Sequence, residues 1–330
     1  MDPMQFAAVS RAHNALDTAI ANESHRLKVK GFVDLAWALF RCPDGEFLEA
    51  TKNHPNALVK AAAANTMTGI WANEDGRSLA DAYLASIAEE SLLDQVKRYA
   101  RNLPLRSTRT MVASGFSANV TAEGDVKVVK NFEATIDTDE AIKSAVIVVL
   151  TKELAKATGP QGRALFENEL RLAVLRATNR AVLDAMASTD TEFVTGTGDP
   201  LEDLRTGLKA AGPSSGYVVA APATAVIDLA TRVENRGGMG VRGGSFIPGV
   251  DVVAMDDLTE MRIIPASRVA VWDGGLEVRS AEHASVTFAE TPTSPSNVVS
   301  LWQTNSLGLL GERSFLLVPS AEMVVVSEGS

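Results

Sequence analysis

The sequence AVIVVLTKEL at residues 145–154, followed by GPQGRALFENELRLAVLRATNRAVLDAM at residues 159–186, decides the fold class. Residues 145–150 of the first stretch are an uninterrupted run of aliphatic, mostly β-branched side chains, and the sequence predicts a strand over Ala141–Thr151. The second predicts a helix that ends near Ala187, a rod of roughly 40 Å at about 1.5 Å per residue. Its apolar residues occupy two faces, so the helix is packed on two sides. Strand and long helix together predict an α+β fold.

The sequence before this stretch is mainly helical at first. Apolar residues recur at three- and four-residue spacing over residues 4–40, and the pattern is repeated after Gly31. Further helices are predicted over Asn56–Met67 and Ser78–Tyr99. Residues 1–80 are therefore expected to form a helical N-terminal region.

A long β-hairpin is predicted over Arg106–Ile136. Its two arms are rich in β-branched and small residues, and Ala122-Glu123-Gly124-Asp125 supplies the turn between them. The arms carry few large apolar side chains, so the hairpin is expected to project from the body and to find its partner on another molecule. Lys127 and Lys130 would form exposed ion pairs there, and a covalent link between subunits is the more speculative alternative.

The C-terminal part alternates short helices and strands. A glycine-rich loop is predicted at Arg236–Gly244, and short strands are expected from Phe246 to the C-terminus. Before that loop the sequence predicts a helix over Leu201–Ala211, a buried strand over Tyr217–Ala221 and a helix over Ala223–Val233.

Composition excludes several classes of protein. The chain has 330 residues, 46% hydrophobic, with a formal net charge of −10, so it is expected to fold and to repel nucleic-acid backbones. The single cysteine, Cys42, cannot form an intramolecular disulfide, and an intracellular chain is expected. The longest purely apolar run, Ala145–Leu150, is far shorter than the ~20 residues that span a bilayer, so no membrane segment is expected.

Two motifs suggest enzymes but occur in the wrong order of elements. Gly238–Gly243 matches a dinucleotide-binding pattern, yet a helix precedes it and a strand follows. Gly212–Gly216 matches the nucleophile elbow of serine hydrolases, with Ser214 or Ser215 as nucleophile, yet it too joins a helix to a strand. Both are interpreted as loops.

The remaining polar residues give no site. His13, His25, His54 and His283 have no metal-ligand spacing, and the carboxylate groups Glu89-Glu90, Asp137/Asp139/Glu140 and Asp256-Asp257 are interpreted as solvated faces or turns. An ion site at the carboxylates is the alternative. No catalytic, cofactor-binding or metal-binding residue is assigned.

The order of these elements resembles that of the major capsid proteins of tailed bacteriophages, which share the Hong Kong ninety-seven type of capsid fold. The resemblance covers roughly residues 80–330. It is carried by the hairpin Arg106–Ile136, the strand at 145–154 and the helix at 159–186, and then by the following stretches in order: Thr195–Pro200, Tyr217–Pro222, Ile247–Val253 and Leu301–Arg313.

This resemblance implies a domain organisation. The hairpin would be the extended loop (about 106–136) and the long helix the spine helix (about 160–187). The axial domain would cover about 201–280 and surround the axes of pentamers and hexamers. The peripheral domain would comprise about 81–105, 137–200 and 281–330. Residues 1–80 would be a scaffold-like region that a phage protease removes, or an ordered extension; both alternatives stay open.

The resemblance also implies a function and partners. The chain would be a non-enzymatic subunit that self-assembles, in the host cytoplasm, into the icosahedral shell of a virion. Its partners would be other copies of itself, the portal, loosely held DNA, and a scaffold, maturation protease or decoration protein. The alternatives are an encapsulin-like bacterial compartment with the same fold, or an enzyme at Ser214, Ser215 or Gly238–Gly243.

Overall fold

The computed structural model describes residues 3–42, 47–64, 70–71, 73–103, 110–113, 134–137, 141–153, 160–187, 191–281, 285–288 and 297–327. The mixed α+β class predicted from the sequence is confirmed. The chain divides into two compact units. The first comprises Met1–Asp94, Lys143–Ala181 and Gly275–Ser314, and the second comprises Gln95–Ile142, Val182–Gly274 and Phe315–Ser330.

Eight α-helices lie within the described residues. They are α1 (Pro3–Arg41), α2 (Phe47–Lys52), α3 (Ala57–Ala64), α4 (Glu74–Ser86), α5 (Leu92–Tyr99), α6 (Pro160–Met186), α7 (Pro200–Ala210) and α8 (Ala223–Thr231). The long helix predicted before Ala187 is confirmed as α6. The helices predicted to start at Asn56, Leu201 and Ala223 are confirmed as α3, α7 and α8; α7 begins and ends one residue earlier than predicted, and α8 ends two residues earlier.

Fourteen strands lie within the same described ranges. They are β1 (Arg101–Asn102), β2 (Thr110–Ala113), β3 (Ala134–Asp137), β4 (Ile142–Thr151), β5 (Glu192–Thr195), β6 (Tyr217–Pro222), β7 (Gly243–Ile247), β8 (Val250–Met255), β9 (Met261–Ile264), β10 (Val269–Ala281), β11 (Ser285–Phe288), β12 (Asn297–Ser300), β13 (Ser306–Pro319) and β14 (Val324–Ser327). One sheet has the order β1-β10-β13-β4, and β11 and β12 pair separately. The strand predicted at Ala141–Thr151 is confirmed as β4.

The core of the first unit joins the N-terminal helices to α6. The aromatic side chains of Phe40 and Trp37 on α1 lie 5.3 and 5.0 Å, between ring centroids, from Phe166 on α6. Phe32 stacks on Tyr83 of α4 at 4.3 Å. Strands contribute Leu276, Val278, Leu307 and Leu309 to the same cluster. The second half of α1 is therefore part of this unit's main core.

The prediction of helical structure over residues 4–40 is confirmed, and α1 continues through Gly31 without interruption. Gly31 is a site of close packing. A Cβ atom there would lie 2.8 Å from the Asn56 amide nitrogen and 3.1 Å from a methyl group of Leu79. Glycine lets α1 approach its neighbours at this point.

The prediction of a single helix over Ser78–Tyr99 is wrong, because Ile87–Glu90 form a turn between α4 and α5. Asn179 of α6 stabilises this break. Its side-chain amide donates a hydrogen bond to the Glu90 carbonyl (3.0 Å), and its side-chain oxygen accepts one from the Leu92 N–H (2.7 Å). A residue more than eighty positions away thus ends one helix and starts the next, which local periodicity does not reveal.

The second unit contains a six-stranded mixed sheet of order β5-β14-β9-β6-β8-β7. Strands β6 and β8 are parallel, with Tyr217 opposite Val250, and β9 is antiparallel to β6. Strand β5, which the sequence did not predict, pairs in parallel with β14 at the edge. The two strands predicted at Val269–Trp272 and Leu276–Val278 form the single strand β10, in which Gly275 adopts a φ of +86°.

Asp94 and Arg313 give a first test of the core of the first unit. Asp94 accepts two hydrogen bonds, of 2.8 and 2.9 Å, from the guanidinium of Arg313, whose side chain is only 1% exposed. Asp94→Asn should lower the free energy of unfolding by about 3–5 kcal/mol, because it removes the negative charge that faces a buried cation. Glu277→Gln is the matched control, since Glu277 pairs with Arg279 on the surface and should change stability by about 0–1 kcal/mol. Urea denaturation measures both variants, and equal losses of unfolding free energy would contradict the role assigned to the buried pair.

Tyr83 gives a second test. Its buried hydroxyl has no hydrogen-bond partner among the described residues. Burial, and secondarily the Glu167 carboxylate, raise its pKa above the ordinary value. The folded state therefore holds the phenolic proton more tightly than the unfolded chain, and this contribution to stability is lost as pH rises above about 10.

Tyr83→Phe should leave stability at neutral pH unchanged or higher, because the orphan hydroxyl is removed. It should also weaken the loss of stability above pH 10. Tyr217→Phe is the control, because the Tyr217 hydroxyl accepts from the Ser214 N–H and donates to the Gly212 carbonyl, so its removal should cost about 1–2 kcal/mol. Thermal melts of both variants between pH 7 and 11 measure these effects. A loss of stability of Tyr83→Phe at neutral pH would contradict the cost assigned to the buried hydroxyl.

Candidate functional site

The base of the predicted hairpin is present. Strands β2 and β3 pair antiparallel, with Thr110 opposite Asp137 and Ala113 opposite Ala134. This register is consistent with the turn predicted at Ala122–Asp125. The turn itself, with Lys127 and Lys130, lies outside the described residues.

The segment that leads into the hairpin is anchored in the second unit. The Tyr99 hydroxyl donates a hydrogen bond of 3.0 Å to the Asp251 carboxylate, which is 2% exposed, and Arg98 lies 3.7 Å from the same carboxylate. Lys97 forms a 2.8 Å ion pair with Asp273. Burial and the Asp251 carboxylate raise the pKa of Tyr99, so the phenol stays a hydrogen-bond donor.

Close packing adds to this anchorage. The Tyr99 ring lies directly over Gly216, where a Cβ atom would overlap the ring. Strand β1 then pairs in parallel with β10, and the Leu103 N–H donates to the Val271 carbonyl. These contacts fix the backbone immediately before the hairpin. Sequence reasoning missed Tyr99 and Asp251 as partners because they are far apart in the chain.

Ser214 and Ser215 lie in a hydrogen-bonded loop and not at a strand-to-helix elbow. The Ser214 hydroxyl lies 2.7 Å from the Ser267 hydroxyl and donates to the Gly216 carbonyl at 2.8 Å. The Ser215 N–H donates to Ser267 at 3.2 Å. The unit that holds both serines contains none of the four histidines of the chain. The arrangement locks a turn, and the described hydrogen-bond partners of the two serines are hydroxyl and backbone groups.

The stretch Gly238–Gly243 is a closed turn that leads into β7. Gly240 and Gly243 exchange backbone hydrogen bonds of 3.2 and 3.1 Å, and the Asn235 side chain holds both the N–H and the carbonyl of Met239. No helix begins here, so the backbone N–H groups do not converge on a phosphate as a dinucleotide site requires. The nucleotide-binding alternative has no geometric support.

His54 and Glu90, two of the residues considered above, have structural partners. His54 lies 3.3 Å from Asp34, which also pairs with Arg163 of α6, and Glu90 pairs with Arg171 at 2.9 Å. No group of three potential metal ligands occurs in the part of the chain that the structure describes. His283, Asp139 and Glu140 lie outside it, and no side-chain position is described for His13 or Asp137. None of the helices within the described ranges is long and apolar enough to cross a membrane.

One groove of about 540 Å³ lies in the second unit, between α7, α8 and the loop before β9. Its floor includes Asp203, which accepts hydrogen bonds from the N–H groups of Thr197 and Gly198 and from the Thr197 hydroxyl. Sequence analysis identified the Thr195–Pro200 loop but not the carboxylate that orders it. Because Asp203 is already used by the loop, the groove offers no built ligand site.

The chain is similar to a known phage protein, although no protein-family model matches it. It is 23% identical over 296 residues to the capsid polyprotein of Pseudomonas phage PAJU2, a match that covers 77% of this chain and 44% of the relative. The resemblance to phage capsid proteins is confirmed. The chain spans less than half of the length of that curated relative.

Solved structures show similar chains. One from Mycobacterium phage Ogopogo matches with a TM-score of 0.49 and 13% identity over 71% of this chain and 91% of that one. One from Gordonia phage Cozz matches with a TM-score of 0.44 and 18% identity, over 71% of this chain and 86% of that one. One from a structure of the major capsid and decoration proteins of phage G matches with a TM-score of 0.39 and 10% identity, over 70% of this chain and 88% of that one.

Ser214 provides a test of the structural interpretation of its loop. Ser214→Ala should cost about 1 kcal/mol through the lost hydrogen bonds to Ser267 and Gly216. The unmodified chain should not react with a fluorophosphonate probe, because no base activates the hydroxyl. Intact-mass spectrometry after incubation with the probe is the measurement. An adduct that disappears in the Ser214→Ala variant would show a nucleophile and contradict this account.

Proposed function

We propose that the chain is a major capsid subunit that self-assembles into an icosahedral shell around a phage genome. The observation that carries the proposal is its similarity, over three quarters of its length, to a phage capsid polyprotein. The hairpin base β2–β3 and the long helix α6, in the predicted order, support it. The chain acts through packing and not through catalysis.

The proposed mechanism depends on a hairpin whose approaching segment is anchored. Tyr99, Arg98 and Lys97 tie the segment before β1 to buried carboxylates, so this part of the chain is held in a folded unit. Each subunit would give its hairpin to one neighbour and receive another. Such an interface is heterologous and closes into rings, here pentamers and hexamers.

The domain organisation belongs to this proposal. The extended loop would cover about 106–136, the axial domain about 201–280 and the peripheral domain the remaining segments after residue 80. Further partners would be the portal and, where the phage encodes them, a scaffold, a maturation protease or a decoration protein. The shell would assemble in the host cytoplasm and the subunit would reside in the virion.

Charge is compatible with a container for DNA. With 31 lysines and arginines against 41 acidic residues the chain has a net charge of −10, so its attraction to phosphate would be weak and the genome could move during packaging and release. The encapsulin-like alternative is not favoured, since the curated relative is a phage capsid protein.

The first experiment expresses the full chain and examines it by light scattering and negative-stain microscopy. Rings or shells are expected across a range of salt and protein concentrations. A stable 34.9 kDa monomer under every condition would overturn the proposal.

A variant tests the hairpin. Residues 114–133 are replaced by Asn-Gly, a two-residue turn that keeps the β2–β3 ladder closed. The variant should keep the far-ultraviolet circular dichroism expected for the remaining residues but should lose shells, with at least a tenfold fall in assembled material by sedimentation. A Gly/Ser linker of twenty residues at the same place is the control for length and should fail equally. Shells from either variant would refute a role for the hairpin.

A further inference from the structure

Helix α1 has two halves with different surroundings. From Phe32 to Phe40 it is largely buried in the first unit, and Asp34 pairs with Arg163 of α6. From Ala15 to Leu27, by contrast, every residue is exposed. The change occurs at Leu27, whose carbonyl accepts a hydrogen bond from the Asn56 side chain. We call residues 3–27 the arm.

The arm presents large apolar side chains to solvent in a regular pattern. Leu16, Ile20 and Leu27 are 57%, 59% and 48% exposed. Their spacing of four and seven residues places them in one stripe along the helix. The stripe continues in sequence through Phe6, Val9 and His13, with Glu23 filling the one remaining position. These positions follow a heptad pattern over three repeats, the seam of a coiled coil.

Four of the seven positions that flank this seam hold small residues. Ala12 and Ala19 precede two seam positions and Ser10 and Ser24 follow two others, while Gln5, Asp17 and Arg26 occupy the remaining flanking positions. Short side chains beside the seam let a second helix approach closely. The arm also contains two arginines and two acidic residues, so its formal charge is zero in a chain of net charge −10. Two arms therefore meet without the repulsion that the rest of the chain would produce.

The seam is self-complementary in one orientation. In an antiparallel pair that places Ile20 opposite Leu16 of a second copy, Leu27 falls opposite position 9, a valine, and Glu23 opposite position 13, a histidine. The same register repeats on the other side of the two-fold axis. A parallel pair would instead place Glu23 opposite Glu23, two like charges in an apolar layer.

We propose that the arm is a dimerisation element, and that it pairs antiparallel with the arm of a second copy through Leu16, Ile20 and Leu27. Isolated helices of this length are marginal in water because nucleation is costly. The arm avoids that cost, since it extends a helix whose other half is held in the core. This pairing goes beyond the proposed shell, because it needs only two chains.

Disulfide trapping in the full chain tests the pairing and its orientation. In a Cys42→Ser background, chains with Leu16→Cys and isotopically heavy chains with Ile20→Cys are mixed and oxidised gently. Mixed covalent dimers are expected in at least fivefold excess over Ile20→Cys homodimers. The control pair, Ala15→Cys with Asn22→Cys, lies on the outer face of the arm and should give little product. No dimers above this control would overturn the proposal, and predominant Ile20→Cys homodimers would overturn its orientation.

Charge insertion supplies an independent measurement. Leu16→Glu/Ile20→Glu should abolish trapping of an introduced Leu27→Cys with Val9→Cys, whereas Ala15→Glu/Asn22→Glu adds the same charge to the outer face and should leave trapping intact. Both variants should melt within about 2 °C of the parent, because all four positions are exposed and surface substitutions change stability little. Trapping that persists in the seam variant rejects the seam. Trapped dimers from a parent chain that never forms shells would count against the shell proposal alone.

Discussion

The buried guanidinium of Arg313 is the constraint on which the first unit depends. A cation that is 1% exposed is tolerated only with a matched anion, and Asp94 meets it with both carboxylate oxygens. The pair joins β13 to the first turn of α5. It therefore requires α5 to start where it does, and the Asn179 side chain enforces that start by holding the backbone on both sides of the break.

The N-terminal helices belong to the same core. Phe32, Trp37 and Phe40 make their ring contacts with Tyr83 and Phe166, so removal of residues 1–80 as a block would expose the apolar face of α6. Of the two alternatives left open by the sequence, an ordered extension agrees better with these contacts for the half of α1 after Leu27. Residues 15–27 of the arm, by contrast, are exposed and take no part in this core cluster.

Sequence periodicity predicted the elements whose stability is local. The α6 helix and strands β4, β6 and β8 were predicted because each has a long or strongly apolar pattern. Periodicity failed where a distant residue determines the local structure. The break before α5 depends on Asn179, and β5 forms by pairing with β14 from the end of the chain. The loops around Ser214 and Gly238 were predicted from the order of elements, although their residue types matched enzyme motifs. The structure adds the hydrogen bonds that hold them as turns.

One surface within the described part of the chain is costly unless another copy covers it. Exposed leucine and isoleucine in a heptad seam lose the burial that would stabilise them by about 1.5–3 kcal/mol each. A chain that stays monomeric gains nothing from this pattern. In the proposed dimer the same side chains would be buried, and in the proposed shell symmetry would repeat that contact many times while each single contact stays weak enough to be corrected during assembly.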